Sequence, residues 1–128
     1  MRKLKLPGRT KEMPRLNDTD YRLVQEQGIQ EIKDQARKIV RNKLEEQPDN
    51  DGVQTPKAGN PIYKAMHACR CSSRRELSRA HRIPAGRKLS ESEIEAVVNL
   101  LTRWIAREYN FFTEEEQMQK SLGEFSRK

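Results

Sequence analysis

Apolar residues recur along much of this chain every three or four positions, which is the spacing of one face of an α-helix. Two stretches show this most clearly: one covers residues 17–46 with an interruption at Gly28, and the other covers residues 94–105. No stretch alternates apolar and polar residues with the two-residue period of a half-buried strand. The pattern therefore predicts an all-α protein, a small bundle of four to five helices.

Polar residues able to cap a first turn precede several of these stretches. Asn17 stands three positions before Asp20, and Ser90 stands three positions before Glu93, which is the spacing of a reciprocal capping box. Both pairs are followed by the apolar period of a helix. The starts predicted in this way are at Asn17, Asn60, Ser73 and Ser90.

Charge and proline content divide the chain into three parts. Residues 1–16 are basic and are interrupted by Pro7 and Pro14, so we expect an extended arm. It is either a solvated, charge-rich terminus or a segment that becomes ordered on a phosphate backbone. Residues 17–112 are expected to form the helical domain. Residues 113–128 begin with a threonine followed by three glutamates, and this pattern predicts a short C-terminal helix or tail.

The overall charge points to an acidic partner. The chain has 26 lysines and arginines against 19 aspartates and glutamates, a net charge of +7, which favours a polyanion or an acidic protein surface. No apolar run approaches the roughly 20 residues that span a bilayer. The first residues also lack the apolar centre of a secretory signal. We therefore expect a cytoplasmic protein without membrane contact, whose two cysteines are reduced thiols.

The densest positive charge lies between residues 68 and 88, where Glu76 is the only acidic residue. Closely spaced guanidinium groups repel one another unless an anion balances them, and nucleic acid is the commonest polyanion. We therefore expect a small nucleic-acid-binding protein, for DNA or RNA, in which this segment and the arm contact phosphates. The residues expected to do so are Arg70, Arg74, Arg75, Arg79, Arg82, Arg87 and Lys88, with Arg2, Lys3, Lys5, Arg9 and Lys11 of the arm. A further basic helix face, either solvated or an extension of this surface, comprises Lys33, Arg37, Lys38, Arg41 and Lys43.

The same segment resembles a helix–turn–helix in its lengths. A helix over 61–70, a short polar turn and a second helix over 74–82 are predicted. The second helix would present Ser73, Arg74, Ser78, Arg79 and Arg82 to a groove. Contact with phosphates irrespective of sequence is one alternative, and a solvated basic helix without a ligand is another.

Four potential metal ligands lie close together in the sequence. His67, Cys69, Cys71 and His81 are residue types that bind zinc, but their spacing matches no standard zinc module. The chain also lacks a glycine-rich phosphate loop and a nucleophile elbow. We therefore predict no metal, no cofactor and no enzymatic activity. A small metal-dependent enzyme around His67 and His81 is the lower alternative.

The end of the chain suggests a different kind of function. Met118, Leu122 and Phe125 would share one side of the predicted C-terminal helix. An apolar stripe outside the core is typical of a surface that binds another protein. The alternative function is therefore an adaptor or inhibitor, of phage or host, that docks on an acidic surface.

One segment carries a pattern of longer range. It consists of Asn50-Asp51-Gly52-x-Gln54-Thr55-Pro56-x-x-Gly59-x-Pro61-Ile62-Tyr63-x-Ala65-x-His67-Ala68, followed by Ile83-Pro84-x-Gly86-Arg87 and later by Trp104-Ile105. This pattern resembles a family of short prokaryotic and phage proteins of unknown function, over about residues 50–105 and more loosely over 17–49. That family has a C-C-x-x-C cluster where this chain has Ser72, Ser73 and Glu76. The resemblance implies a compact helical structure and assigns no function.

Overall fold

The chain folds into helices that pack around one long C-terminal helix. The computed structural model describes residues 3–45 and 59–126, with side chains as far as residue 119. These ranges contain five helices and no strand, which confirms an all-α protein: α1 (Asp18–Gln27), α2 (Ile29–Leu44), α3 (Pro61–Ala68), α4 (Arg74–His81) and α5 (Glu91–Ser126). Within the same ranges, no helix has both the length and the apolar character that a bilayer crossing requires.

The predicted helix starts are confirmed by their capping hydrogen bonds. The side chain of Asn17 accepts a hydrogen bond from the Asp20 N–H at 2.9 Å, and the Asp20 carboxylate accepts one from the Asn17 N–H at 3.1 Å. Ser90 and Glu93 form the same reciprocal pair at 3.1 and 2.9 Å. Asn60 accepts from the N–H two residues further on at 2.7 Å. Local side chains therefore satisfy N–H groups that the first helical turn leaves without partners.

A single glycine separates α1 from α2. Gly28 has φ of +83°, a backbone conformation that other residues rarely adopt. Its N–H donates to the carbonyl of Val24 at 2.9 Å, and its own carbonyl accepts from the N–H of Ile32 at 3.1 Å. The chain therefore changes direction here while both helix ends keep their terminal hydrogen bonds.

The core lies between α5 and the helices packed against it, α1, α2 and α3. Trp104 on α5 is fully buried, as its place in the apolar stripe predicts. Ile29, predicted to lie on the α2 stripe, is instead 42% exposed. The buried positions of α2 are Ile32, Ala36, Val40 and Leu44. Those of α5 include Ile94, Val97, Val98, Leu101 and Ile105.

The prediction of a separate short C-terminal helix is wrong. Thr113 does not cap a new helix, because its hydroxyl donates to the carbonyl of Tyr109, four residues earlier, at 3.0 Å. α5 therefore continues through this point. Met118 is 70% exposed, whereas the side chains of Leu122 and Phe125 lie outside the described residues. The proposed partner stripe stays a prediction.

The N-terminal arm contacts α5 through Leu4, Pro7 and Arg9. Leu4 is 3% exposed and belongs to the core. Arg103 donates to the carbonyl of Leu4 at 2.7 Å, and Arg107 donates to the carbonyl of Pro7 at 2.6 Å. These contacts hold part of the arm against α5, and the expectation that it becomes ordered on binding an anion stays a prediction.

Candidate anion-binding sites

The seven cations predicted between residues 68 and 88 lie in three different environments. Arg74 is buried, Arg87 and Lys88 lie beside carboxylates, and the others are exposed on or next to α4. The predicted cluster is therefore not one continuous surface.

Arg74 contradicts the prediction that it faces a groove. Its side chain is fully buried, and Nη1 donates to the carbonyls of Leu44 and Glu45, at 3.1 and 3.2 Å. Nη2 donates to the carbonyl of Pro84 at 2.7 Å. The carbonyls that end a helix carry partial negative charge, and the planar guanidinium presents several donors to them. Arg74 therefore caps the C-terminus of α2 by donating hydrogen bonds to its terminal carbonyls. Ser73, also predicted to face the groove, is buried as the N-cap of α4.

Arg87 and Lys88 are balanced by glutamates of the chain itself. Arg87 donates to both carboxylate oxygens of Glu93, at 2.8 and 2.7 Å. This hydrogen bonding is the main reason that the pKa of Glu93 falls to about 2. The Lys88 ammonium lies 3.1 Å from the carboxylate of Glu45. The expectation that these two cations lack internal counter-charges is therefore wrong.

The exposed arginines cluster on α4. Arg75 and Arg79 lie one turn apart on the same face, opposite the buried Leu77. Arg82 ends the helix with φ of +57° and is exposed, as is Arg70 in the turn before it. This arrangement leaves a compact basic face that can contact phosphate oxygens.

The cysteines and histidines between α3 and α4 form packing contacts. Burial raises the pKa of the Cys69 thiol to about 12 and raises the pKa of Cys71 well above its ordinary value. The Cys69 carbonyl accepts hydrogen bonds from the Cys71 thiol at 3.4 Å and from Nε2 of His81 at 2.7 Å. His67 is half-buried at the end of α3. Among the described residues, no group of three or more potential ligands is placed to hold a metal ion.

The arm has one cation that is held firmly. The Nε atom of Arg9 lies 3.0 Å from the carboxylate of the buried Glu108, and its guanidinium carbon lies 3.9 Å from the centroid of the Phe111 ring. Such a cation is already stabilised by the chain. The other predicted arm residues are Lys3, Lys5 and Lys11, which are exposed, and Arg2, which lies outside the described residues.

A cleft missed by the sequence analysis lies between the arm, α2 and α5. Its volume is about 460 Å³, and its lining includes three cations, Lys3, Lys33 and Arg103, and no carboxylate. Ala96 and Asn99 belong to its α5 wall. The available signals were the basic face of α2, which includes Lys33, and a row of small or polar α5 positions at helical spacing.

These features define a small protein, all-α in its described ranges, whose core is surrounded by basic surfaces. The family model for the Domain of unknown function (DUF4186) matches residues 5–106, and the chain belongs to that family. The match includes residues 5–16 of the arm, α1 to α4 and the first part of α5. No solved structure matches the chain.

Proposed function

We propose that this protein binds nucleic acid through the exposed face of α4. The observation that carries the proposal is the placement of Arg75 and Arg79 one turn apart on that face, with Arg82 and Arg70 exposed at its two ends. Arginine suits this role because its planar donors match phosphate oxygens. The net charge of +7 favours the approach of a polyanion.

The proposed interface is smaller than the one expected from sequence. Ser73 and Arg74 are buried, so the start of α4 has few side chains left to read base edges in a groove. We therefore assign phosphate contact rather than base recognition to the arginines of α4. The proposal retains the cytoplasmic location expected from the sequence. It gives no role to the family-like loop pattern, of which residues 50–58 lie outside the described ranges.

Four phosphate contacts imply a measurable salt dependence. The slope of log K against log salt would be about −3.6, so affinity would fall about 150-fold between 50 and 200 mM salt. Fluorescence anisotropy with a labelled mixed-sequence DNA duplex and with an RNA hairpin of equal length measures this slope. Absence of binding at 50 mM salt, or binding that does not change with salt, would contradict the proposal.

A pair of matched double variants separates a local interface from overall charge. Arg75→Gln with Arg79→Gln removes two cations from α4 and should make the slope shallower by about two. Arg22→Gln with Lys38→Gln removes the same charge from exposed positions of α1 and α2 and should leave the slope near that of the wild type. Equal losses in both double variants would show that net charge alone attracts the nucleic acid. Circular dichroism of each variant verifies that the helices are intact.

A further inference from the structure

The cleft between the arm, α2 and α5 is lined by three cations and by no carboxylate of the described residues. Lys3 and Lys33 line it, and neither forms an ion pair with any residue in the described ranges. Glu95 is a carboxylate within electrostatic reach, since its lowered pKa comes chiefly from a hydrogen bond with Arg37 and in smaller part from Lys33. Arg37 binds both oxygens of Glu95, at 2.9 and 3.0 Å. Arg37 also binds Asp34 at 3.0 Å, and no carboxylate in the described ranges forms an ion pair with Lys33. The Lys33 ammonium can therefore contact an anion in the cleft.

Arg103 is held in place at the junction of the arm and α5. Its Nη2 donates to the carbonyl of Leu4 at 2.7 Å, and its Nε donates to the carbonyl of Asn99 at 3.4 Å. Its Nη1 makes no hydrogen bond to any described residue, and the side chain lines the cleft. A guanidinium fixed in this way loses little conformational entropy when it binds an anion.

A second cavity of about 330 Å³ shares Ala106 with the first. Its lining is largely uncharged and includes Val24, Ile29 and the ring of Tyr109. This location accounts for the 42% exposure of Ile29, which faces this cavity and not the core. Arg103 and Tyr109 lie about 9 Å apart along the axis of α5, because each helical residue rises about 1.5 Å. A cationic region and an aromatic one therefore lie within the length of a small molecule.

We propose that these two cavities bind a small organic phosphate. Lys3, Lys33 and Arg103 hold its phosphate group, and an uncharged apolar or aromatic body extends past Ala106 towards Tyr109. Both cavities have volumes in the range of small-molecule sites. No described residue of α3 or α4 lines either cavity, so this site does not depend on the proposed nucleic-acid interface.

Titration of the full chain with AMP tests the proposal, with adenosine and inorganic phosphate as partial probes. Amide shifts in ¹H–¹⁵N spectra report the location, and we expect saturable shifts within residues 96–106. Adenosine lacks the phosphate held by Lys3, Lys33 and Arg103, and inorganic phosphate lacks the organic body, so each should bind at least about 10-fold more weakly than AMP. Lys33→Gln should weaken AMP binding about 5-fold, because it removes one charge-assisted hydrogen bond. Lys38→Gln, which removes the same charge from an exposed position of α2 outside the cleft, should change it less than about 2-fold.

Specific outcomes would overturn the assignment. Absence of saturable shifts at millimolar AMP, or equal weakening by Lys33→Gln and Lys38→Gln, would show that the cleft is not a phosphate site. Ile29→Ala, which changes the lining of the second cavity only, should weaken AMP binding but leave the binding of inorganic phosphate unchanged. Equal affinity of AMP and inorganic phosphate would remove the role given to the second cavity. Arg79→Gln should not alter AMP binding. If Arg79→Gln weakened AMP binding as much as Lys33→Gln, the phosphate would be assigned to α4 instead of the cleft. If the protein failed to bind nucleic acid but still bound AMP, the cleft proposal would stand.

Discussion

The buried guanidinium of Arg74 provides the most direct test of how this fold is stabilised. It donates to the carbonyls of Leu44, Glu45 and Pro84, and so connects the start of α4 to the end of α2 and to the loop before α5. The substitution Arg74→Met keeps a long side chain that can remain buried. It removes every donor, so these three carbonyls lose their guanidinium partner.

The expected cost follows from those contacts. The buried Leu44 carbonyl loses its guanidinium partner at a cost of about 2 kcal/mol. The Glu45 carbonyl keeps the N–H of Leu89 at 2.8 Å, and Pro84 is exposed, so the hydrogen bonds lost there cost about 0.5 kcal/mol each. Loss of the positive charge at the C-terminus of α2 adds about 0.5 kcal/mol. Burial of a thioether in place of an ion recovers part of this cost, because the guanidinium no longer has to be desolvated. We therefore expect Arg74→Met to lower the free energy of unfolding by about 3 kcal/mol, out of about 5–15 kcal/mol for a typical domain.

Urea unfolding followed by the fluorescence of the single, buried Trp104 measures this loss. Arg79→Met is the matched control, because Arg79 lies on the same helix and is exposed, and it should change stability by no more than about 0.5 kcal/mol. Arg74→Lys keeps the charge but not the planar set of donors, so its loss should be intermediate. A loss below about 1 kcal/mol for Arg74→Met would refute the structural role assigned to its hydrogen bonds.

Two further predictions follow from the perturbed pKa values. Burial raises the pKa of Cys69 to about 12, so this thiol should resist alkylation in the native protein at pH 8. Mass spectrometry measures the labelling, and protein unfolded in urea, which should be alkylated completely, is the control. Rapid labelling of the native protein would show that this thiol is accessible. The pKa of Glu93 falls to about 2, chiefly through its hydrogen bond with Arg87, from an ordinary value of 4.5. Its stabilising effect is therefore present above pH 4.5 and lost as the pH falls towards 2, so Glu93→Gln should lose less stability than the wild type between pH 5 and pH 3. Equal losses in urea unfolding at both pH values would show that this pair does not stabilise the fold.

Helix starts could be predicted from sequence because capping is local. The reciprocal partners at Asn17 and Ser90 lie three residues away in each case, so a short window contains all of the information. The failure at Thr113 has the same origin. A threonine followed by glutamates is compatible both with a helix start and with a helix interior, and only the continuity of α5 decides between them.

The candidate sites could not be predicted in the same way, since they depend on contacts between distant segments. Arg74 is charged and stands at the start of a helix, which locally indicates exposure, but its partner Leu44 lies 30 residues away. The cleft combines Lys3, Lys33 and Arg103, which come from three segments. No periodicity links such positions, and only packing of the arm and α2 against α5 places them together.

Glutamates at the start of α5 form ion pairs with arginines of other segments. A helix N-terminus favours carboxylates, and Glu91 and Glu93 lie in the first turn of α5, with Glu95 in the next turn. Their partners are Arg41, Arg87 and Arg37, so these glutamates neutralise cations of α2 and of the preceding loop. Lys33 lies one turn before Arg37, beyond the part of α2 that these ion pairs cover, and Arg79 lies on a different helix. These glutamates therefore neutralise cations of α2 and of the loop before α5, and they form no ion pair with Lys33 of the cleft or with Arg79 of α4.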